Sequence, residues 1–398
     1  MEEKPETLKK PEFLKNSETF KKSETETLDP YDVLFPVGIL TSLLAAFLWV
    51  AFQNSWVSFF PRQTHGNLMF FGFLWAFVSG FLMTAIPKMT QTSIANIFEI
   101  FAAVFLILLQ WVLNLRNMGS VSVGLFALQV FVLILFVGRR FLQRRRIPFE
   151  GFVYFPFALF WGLAGPFSFF LFPQFGSSML YVFSGQAVIL NLICGLGSRL
   201  IPVLSRIPGA LMPDEAGQHK RMIEIGLYAI CLNLTFVLEA SGATQAGYLV
   251  RAIFISAVAV RYFKIFTRPS VRTYVGWGLK SAVICLIVGY GLLGVYPEGN
   301  HLPFLHLVYI GGYSLVTLMV ATRVTLAHGG YSLELELQSK HIMFISLILL
   351  IGAALRAFVV GSDLVAKGLS WSAYAFMVGL GAWLISWWIR ATKLIKQV

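Results

Sequence analysis

Charge is scarce in this chain. Asp, Glu, Lys and Arg make up 13% of its 398 residues, about half the ~25% usual in soluble domains. Cysteine is scarcer still. Cys194, Cys231 and Cys285 lie far apart, each inside an apolar run, with no CxxC or C-x-C spacing. That excludes a thiolate metal cluster and a disulfide framework, and leaves three small buried hydrophobes. The first 30 residues lack apolar side chains almost entirely, being Lys, Glu, Ser, Thr and Pro. They predict a disordered tail and, having no apolar h-region, no secretory signal. Residues 31–398 then read as one transmembrane helical domain.

What the chain does have is apolar length. It is 57% hydrophobic, with 38 phenylalanines, and runs near 20 residues recur along it, so its solvent is lipid. Twelve segments are predicted, near 33–53, 66–87, 94–115, 121–138, 151–172, 178–198, 222–240, 246–262, 276–296, 303–325, 342–361 and 369–390. Backbone amides have no water partners in a bilayer, and no alternating barrel pattern is present. The expected fold class is all-α, a polytopic membrane protein of about 12 transmembrane helices.

The formal net charge is +12, yet nucleic acid is not the expected partner. The basic residues lie in short blocks between apolar runs. They cluster in the tail, in Arg139–Arg146, in Arg199–Arg221, in Arg261–Arg272 and at the C-terminus, while the intervening loops hold little beyond Arg62, Arg116 and Lys367. The positive-inside rule then places both termini in the cytoplasm. On that topology the second, sixth and tenth helices run in the same direction. Their endings resemble one another: Thr84-Ala-Ile-Pro-Lys88, Gly197-Ser-Arg-Leu-Ile-Pro202 and Ala321-Thr-Arg-Val-Thr325. Recurrence every fourth helix suggests three four-helix units.

No histidine falls at the centre of an apolar run. His65 and His306 open the second and tenth helices at what reads as matching depth on the outer side. His219, His328 and His341 lie at the opposite ends, and His301 precedes the tenth helix. His306 and His328 are 22 residues apart, ~33 Å along a helix, too far to share a metal. The outer pair, on neighbouring helices, could hold a haem iron axially, with apolar side chains along the porphyrin faces. Met69, a turn beyond His65, is either an axial thioether or core. Arg251 and Arg356 lie inside apolar runs, where an arginine needs a partner. A haem propionate would serve; so would Glu239 for Arg251 and Asp363 for Arg356. Gln129, Gln186 and Asn191 are expected to bond across helices. At the cytoplasmic ends, Arg199 and Arg323 suit the helix dipole, and His328 precedes a Gly-Gly stop. Capping is one reading of these; an anion- or metal-binding cluster of Arg199, Arg323, His328 and His341 is the other.

Four passages together resemble the NnrS family: His65 with Met69 and Gly72; Gly80 to Pro87; Ser198 to Pro202; and His306 with Gly311, Thr322 to Val324, His328 and Gly330. The likeness covers residues 33–390. It implies a twelve-helix protein of the bacterial inner membrane, binding haem and copper and linked to the nitric oxide response. The chain departs from the family pattern at Asn67 and Leu68, where a second His and a Glu usually stand, and at Gly278-Leu-Lys-Ser281, where a Leu-His motif is frequent. No three-histidine group remains at one depth, so haem b is the stronger expectation and copper, which favours several His or sulfur ligands, the weaker. The architecture also looks like the catalytic subunit of haem–copper oxidases, three four-helix units with haem histidines on helices 2 and 10. The expected partners are the bilayer, haem, and nitric oxide or a redox partner. The alternatives are a secondary transporter of a small solute, or a cofactor-free scaffold or assembly factor.

Overall fold

The computed structural model describes residues 28–146, 148–210, 218–296, 301–329, 337, 339–358 and 362–395; the tail predicted to be disordered lies almost wholly outside them. Among the described residues the chain forms twelve helical rods and no strand. They are α1 (Pro30–Gln53), α2 (Arg62–Thr90), α3 (Ile97–Leu115), α4 (Gly119–Leu142), α5 (Glu150–Leu171), α6 (Gly176–Leu204), α7 (Gln218–Ala240), α8 (Thr244–Arg261), α9 (Tyr274–Val295), α10 (His301–His328), α11 (Lys340–Phe358) and α12 (Ser362–Ile395). Eleven are long and apolar enough to cross a bilayer. The exception is α8, whose 18 residues include Arg251 and Arg261. It is held by packing between α7 and α9. This is a multi-pass membrane protein.

Burial sorts the rods into an inner set and an outer set. In α2, α6 and α10, 72–78% of the spanning window is buried, against 22–56% in the other spans. The inner three are also the longest apolar spans, at 28–29 residues. Outer rods turn large side chains outward; on α3, Phe98, Phe101 and Phe105 are all exposed, as a lipid-facing surface allows. One main cluster of buried apolar side chains runs from Tyr31 to Trp383. Cys194 is buried as expected, but Cys231 is exposed, on an outer rod, and Cys285 is half-buried.

Each inner rod is interrupted by a π-helical stretch: Leu68–Leu74 in α2, Tyr181–Ala187 in α6 and Leu307–Ser314 in α10. Here backbone bonds span five residues instead of four, a geometry usually confined to single turns and frequent at functional sites. Ser314 Oγ follows suit, donating to the Tyr309 carbonyl five residues back. The third residue of each stretch is aromatic (Phe70, Phe183, Tyr309) and the fifth is glycine (Gly72, Gly185, Gly311). Close approach explains the first glycine: a Cβ on Gly72 would lie 2.4 Å from Thr41 Cγ2. The matched stretches fall on every fourth rod, as three four-helix units would place them.

Below the π stretches the three inner rods, with Phe35 of α1, line a small, partly open apolar cavity of about 80 Å³, whose walls include Val78 and Phe81 of α2, Ile193 and Leu196 of α6, and Val316 and Val320 of α10. Within the stretches themselves, Phe70 of α2 meets the rings of Tyr309 of α10 at 5.0 Å and Tyr181 of α6 at 6.0 Å. The inner rods therefore meet one another both at and below their irregular segments.

Candidate functional site

His65 and His306 both stand at the mouths of inner rods. His306 immediately precedes its π stretch, whereas His65 stands three residues before its own. The two are thus offset by two residues, or ~3 Å of rise, where the sequence suggests matching depth. Each ring is held by one nitrogen. His65 Nδ1 bonds the Ala45 carbonyl of α1 at 2.9 Å, and His306 Nδ1 bonds the Leu302 carbonyl at 2.7 Å. A carbonyl only accepts, so each Nδ1 carries the proton, and each neutral ring presents a bare Nε2 lone pair. This is the arrangement of a metal-ligating histidine, whose other nitrogen is anchored to a carbonyl or carboxylate. The Trp49 ring sits 5.9 Å from His65, and the Tyr309 ring 6.1 Å from His306.

The two imidazoles interact electrostatically with one another, and both interact with Arg356 of α11. The structure thus brings together three residues that sequence reasoning chose separately. Arg356 is half-buried, and its Nε is fully buried with no hydrogen-bond partner among the described residues. The side chain of Asp363, the alternative partner, lies outside the described ones. Two imidazoles with Nε2 free of the proton, and an arginine whose Nε has no partner among the described residues, are the donor types that could serve a haem and its propionate. Met69 is half-buried and packs against the core. It follows His65 on the same helix face, so it is a packing residue here and not a second ligand across from it.

Arg251 does not join this group. It is fully buried and donates to Thr235 Oγ1 at 3.0 Å, the Thr235 carbonyl at 3.2 Å, Gln186 Oε1 at 3.2 Å and Glu239 Oε2 at 2.8 Å. Its guanidinium also lies 3.9 Å over the Phe236 ring. Glu239, the alternative weighed from sequence, is its partner, and four of its five N–H donors are engaged within the protein. Tyr248 donates to the other Glu239 oxygen at 2.6 Å, Tyr290 to Gln186 Oε1 at 3.1 Å, and Tyr313 pairs with Tyr290 at 2.6 Å. The tyrosines were not legible as members of this network, because nothing in their spacing marks them out from core aromatics.

Beside His65 lies a second closed network. Asn67 Nδ2 donates to Asn114 Oδ1 at 2.9 Å, and Tyr181 donates to Asn67 Oδ1 at 2.9 Å. Asn114 continues to Ser122 Oγ at 2.8 Å, which donates to Gln110 Oε1 at 2.6 Å. Asn67 is the position where the NnrS pattern has a second histidine. Here it is fully buried and ties α2 to α3 and α6. Asn191 likewise bonds across helices, exchanging amide bonds of 2.9 and 3.0 Å with Asn233 of α7.

At the far ends of the rods, of the four residues that the sequence suggests as a cluster, Arg323 and His328 interact. Lys88 of α2 donates to His328 Nδ1, the Tyr31 ring lies 5.8 Å from His328, and Arg323 interacts with His328 electrostatically. Arg199 instead lies 5.4 Å over the Phe149 ring, and His341 is exposed. Lys88 is the member that sequence reasoning missed; its place after Pro87, in the last turn of α2, was the available signal. Among the described residues no group of three or more His, Cys, Asp or Glu could hold a metal ion.

Comparison with known proteins agrees with the sequence likeness. No curated protein matches the chain. The model of one family, described as NnrS protein, matches residues 28–392. That span takes in every described rod from α1 into α12, with both histidines and all three π stretches, and the chain belongs to the NnrS family.

Proposed function

We propose that this chain is a haem protein of the bacterial inner membrane acting in the response to nitric oxide, with haem b held between α2 and α10 by His65 and His306. The observation that supports this reading is the pair of imidazoles with protonated Nδ1 and bare Nε2, both within the field of an unsatisfied Arg356. The Ala45 and Leu302 carbonyls fix each ring's tautomer and orientation. Arg356 supplies a cation to a propionate, and the apolar rods keep water away. When bound, the haem iron supplies one-electron chemistry. Held by two imidazoles, the group would suit electron transfer to or from a partner rather than direct capture of the gas. With both termini in the cytoplasm, as the loop charges suggest, the two histidines lie toward the outer surface.

The transporter reading draws on the same π stretches, since transporters interrupt helices at their binding sites. Against it, the cavity between the inner rods is lined almost wholly by apolar side chains, with Thr317 as its one polar contributor. A polar solute would find almost no hydrogen bonds there.

The test is a reduced-minus-oxidised visible spectrum of purified, haem-supplied protein, with iron and copper analysis. Native protein should show a Soret band and the bands of a six-coordinate haem. His65→Ala and His306→Ala should each lose those bands while the protein stays monodisperse. A folded native protein with no Soret band would remove the proposal.

A further inference from the structure

The connection between α8 and α9, Tyr262 to Thr273, reads Tyr-Phe-Lys-Ile-Phe-Thr-Arg-Pro-Ser-Val-Arg-Thr. Its inward side chains moor it to the bundle. Phe263 and Ile265 are buried in the main core, and Phe263 lies against Gly197 of α6. The Ser270 N–H donates to the Arg206 carbonyl at 2.9 Å, just past the end of α6. Thr273 Oγ1 donates to the Leu204 carbonyl at 3.3 Å and accepts from the Gly276 N–H at 2.9 Å, capping α9. The other side chains point away from this mooring. Lys264, Phe266, Arg268, Val271 and Arg272 are all exposed. Lys280, in the second turn of α9, reaches back and donates to the Thr267 carbonyl at 3.1 Å.

Four cations thus gather on one fixed platform with no counter-charge at hand. No Asp or Glu occurs between Glu239 and Glu298. Among the described residues Lys264, Arg268, Arg272 and Lys280 have no carboxylate partner, whereas Arg261 just before them pairs with Glu224 at 2.9 Å. The platform leads into the N-terminus of α9, whose dipole also favours an anion and whose first turn holds no acidic residue. Apolar side chains stand among the cations: Phe266 is 81% exposed, Val271 50% and Trp277 41%. Trp277 heads a stripe that continues along α9 through Ile284, Val288 and Val295, all exposed and at helical spacing. That stripe is the lipid-facing side of a rod long enough to span, so the platform stands where lipid headgroups begin. Cations beside exposed aromatic rings suit that boundary, where rings enter the apolar edge and cations meet phosphate. A soluble anion would satisfy the cations and leave Phe266 uncovered.

We propose that the α8–α9 connection is a docking site for an anionic phospholipid, its phosphate held by Lys264, Arg268 and Arg272 and its glycerol and upper acyl chains covering Phe266 and Trp277. The two guanidinium forks suit phosphate oxygens, and the lysine adds a point charge. The inference does not rest on haem binding, nor on which leaflet the platform meets.

Full-length protein in non-ionic detergent is titrated with dioleoylphosphatidylglycerol or dioleoylphosphatidylcholine, and bound lipid is counted by native mass spectrometry. Saturable binding is expected, tighter for the anionic lipid and weaker as salt rises. Replacing Lys264, Arg268 and Arg272 together by Gln should weaken the anionic lipid about a hundredfold, at about fivefold per cation. Phe266→Ser should weaken both lipids. Replacing Arg139, Arg144 and Arg145 by Gln removes the same charge elsewhere and should leave this binding unchanged. Where a variant fails to fold, a photoreactive phosphatidylglycerol on the native chain decides, and it should label residues 262–280. No preference for the anionic lipid, equal loss in the two triple variants, displacement by an equal concentration of glycerol 3-phosphate or of a polyglutamate peptide, or labelling confined to other segments would each overturn the proposal.

Discussion

Two intramembrane arginines sit in the same bundle in opposite circumstances. Arg251 has a carboxylate, an amide, a hydroxyl and a carbonyl around it, with aromatic rings on its face. Arg356 has two neutral imidazoles nearby and a buried Nε with no partner. Both have the same signature in sequence, one cation inside an apolar run. The difference shows that such a cation is structural where the fold itself supplies the counter-charge. Where the described residues supply none, the cation is a candidate for a site. Arg251 holds α7, α8 and α6 together; Arg356 Nε has no partner among the described residues.

The sharpest way to break this comparison is to strip Arg251 of its partner. Glu239→Leu leaves a buried guanidinium without its carboxylate, which should cost about 3–5 kcal/mol and show as a large fall in thermal midpoint or as loss of folded protein in detergent. Glu239→Gln keeps an acceptor for Tyr248 and for Arg251, so its effect should be smaller. Combining Glu239→Leu with Arg251→Met removes both charges and should recover most of the loss. If Glu239→Leu alone were neutral, the ion pair would not be structural, and the contrast with Arg356 would fail.

A smaller effect is expected beside His65. Asn67→Leu leaves Asn114 and Tyr181 with broken bonds in a closed network, at about 1–3 kcal/mol, measured by thermal unfolding. It should also weaken haem retention, because α2 then loses its ties to α3 and α6 just below His65. Full stability with normal haem content would show that the network merely fills space.

These contrasts also mark what could be read beforehand. The rods were legible because lipid imposes length and apolarity on each, and burial later sorted them. α8 was found despite Arg251 because its flanking turns and remaining apolar residues sufficed. The π stretches were not legible. They depend on close packing between rods, such as Thr41 of α1 against Gly72 of α2, and only the shared aromatic-x-Gly pattern hinted at them. Within the site, His65, His306 and Arg356 were chosen from position along their helices, and tertiary packing brought them together. Arg199 and His341 were chosen by the same logic, and Arg199 has the Phe149 ring as its neighbour, since depth along a helix does not specify which way its face points. The Nδ1 anchors on Ala45 and Leu302 needed coordinates, because each depends on a backbone carbonyl that sequence does not locate.

The smallest expected effect on stability belongs to Arg356, and it has the opposite sign to that at Glu239. In haem-free protein, Arg356→Leu removes a half-buried cation whose Nε has no partner. Burying a polar group without a bond is unfavourable, and the replacement suits an apolar rod. The thermal midpoint should therefore stay level or rise, the change amounting to less than about 1 kcal/mol because part of the guanidinium is still solvated. In haem-supplied protein the same substitution removes the propionate's cation, so haem should be lost faster to an apomyoglobin acceptor, while a bis-imidazole spectrum persists at first. Stability and retention thus move apart at Arg356, whereas at Arg251 no cofactor stands to be lost. A variant that destabilised the haem-free chain as strongly as Glu239→Leu would mean that Arg356 also has a counter-charge within the protein, and that its orphaned nitrogen points to nothing missing.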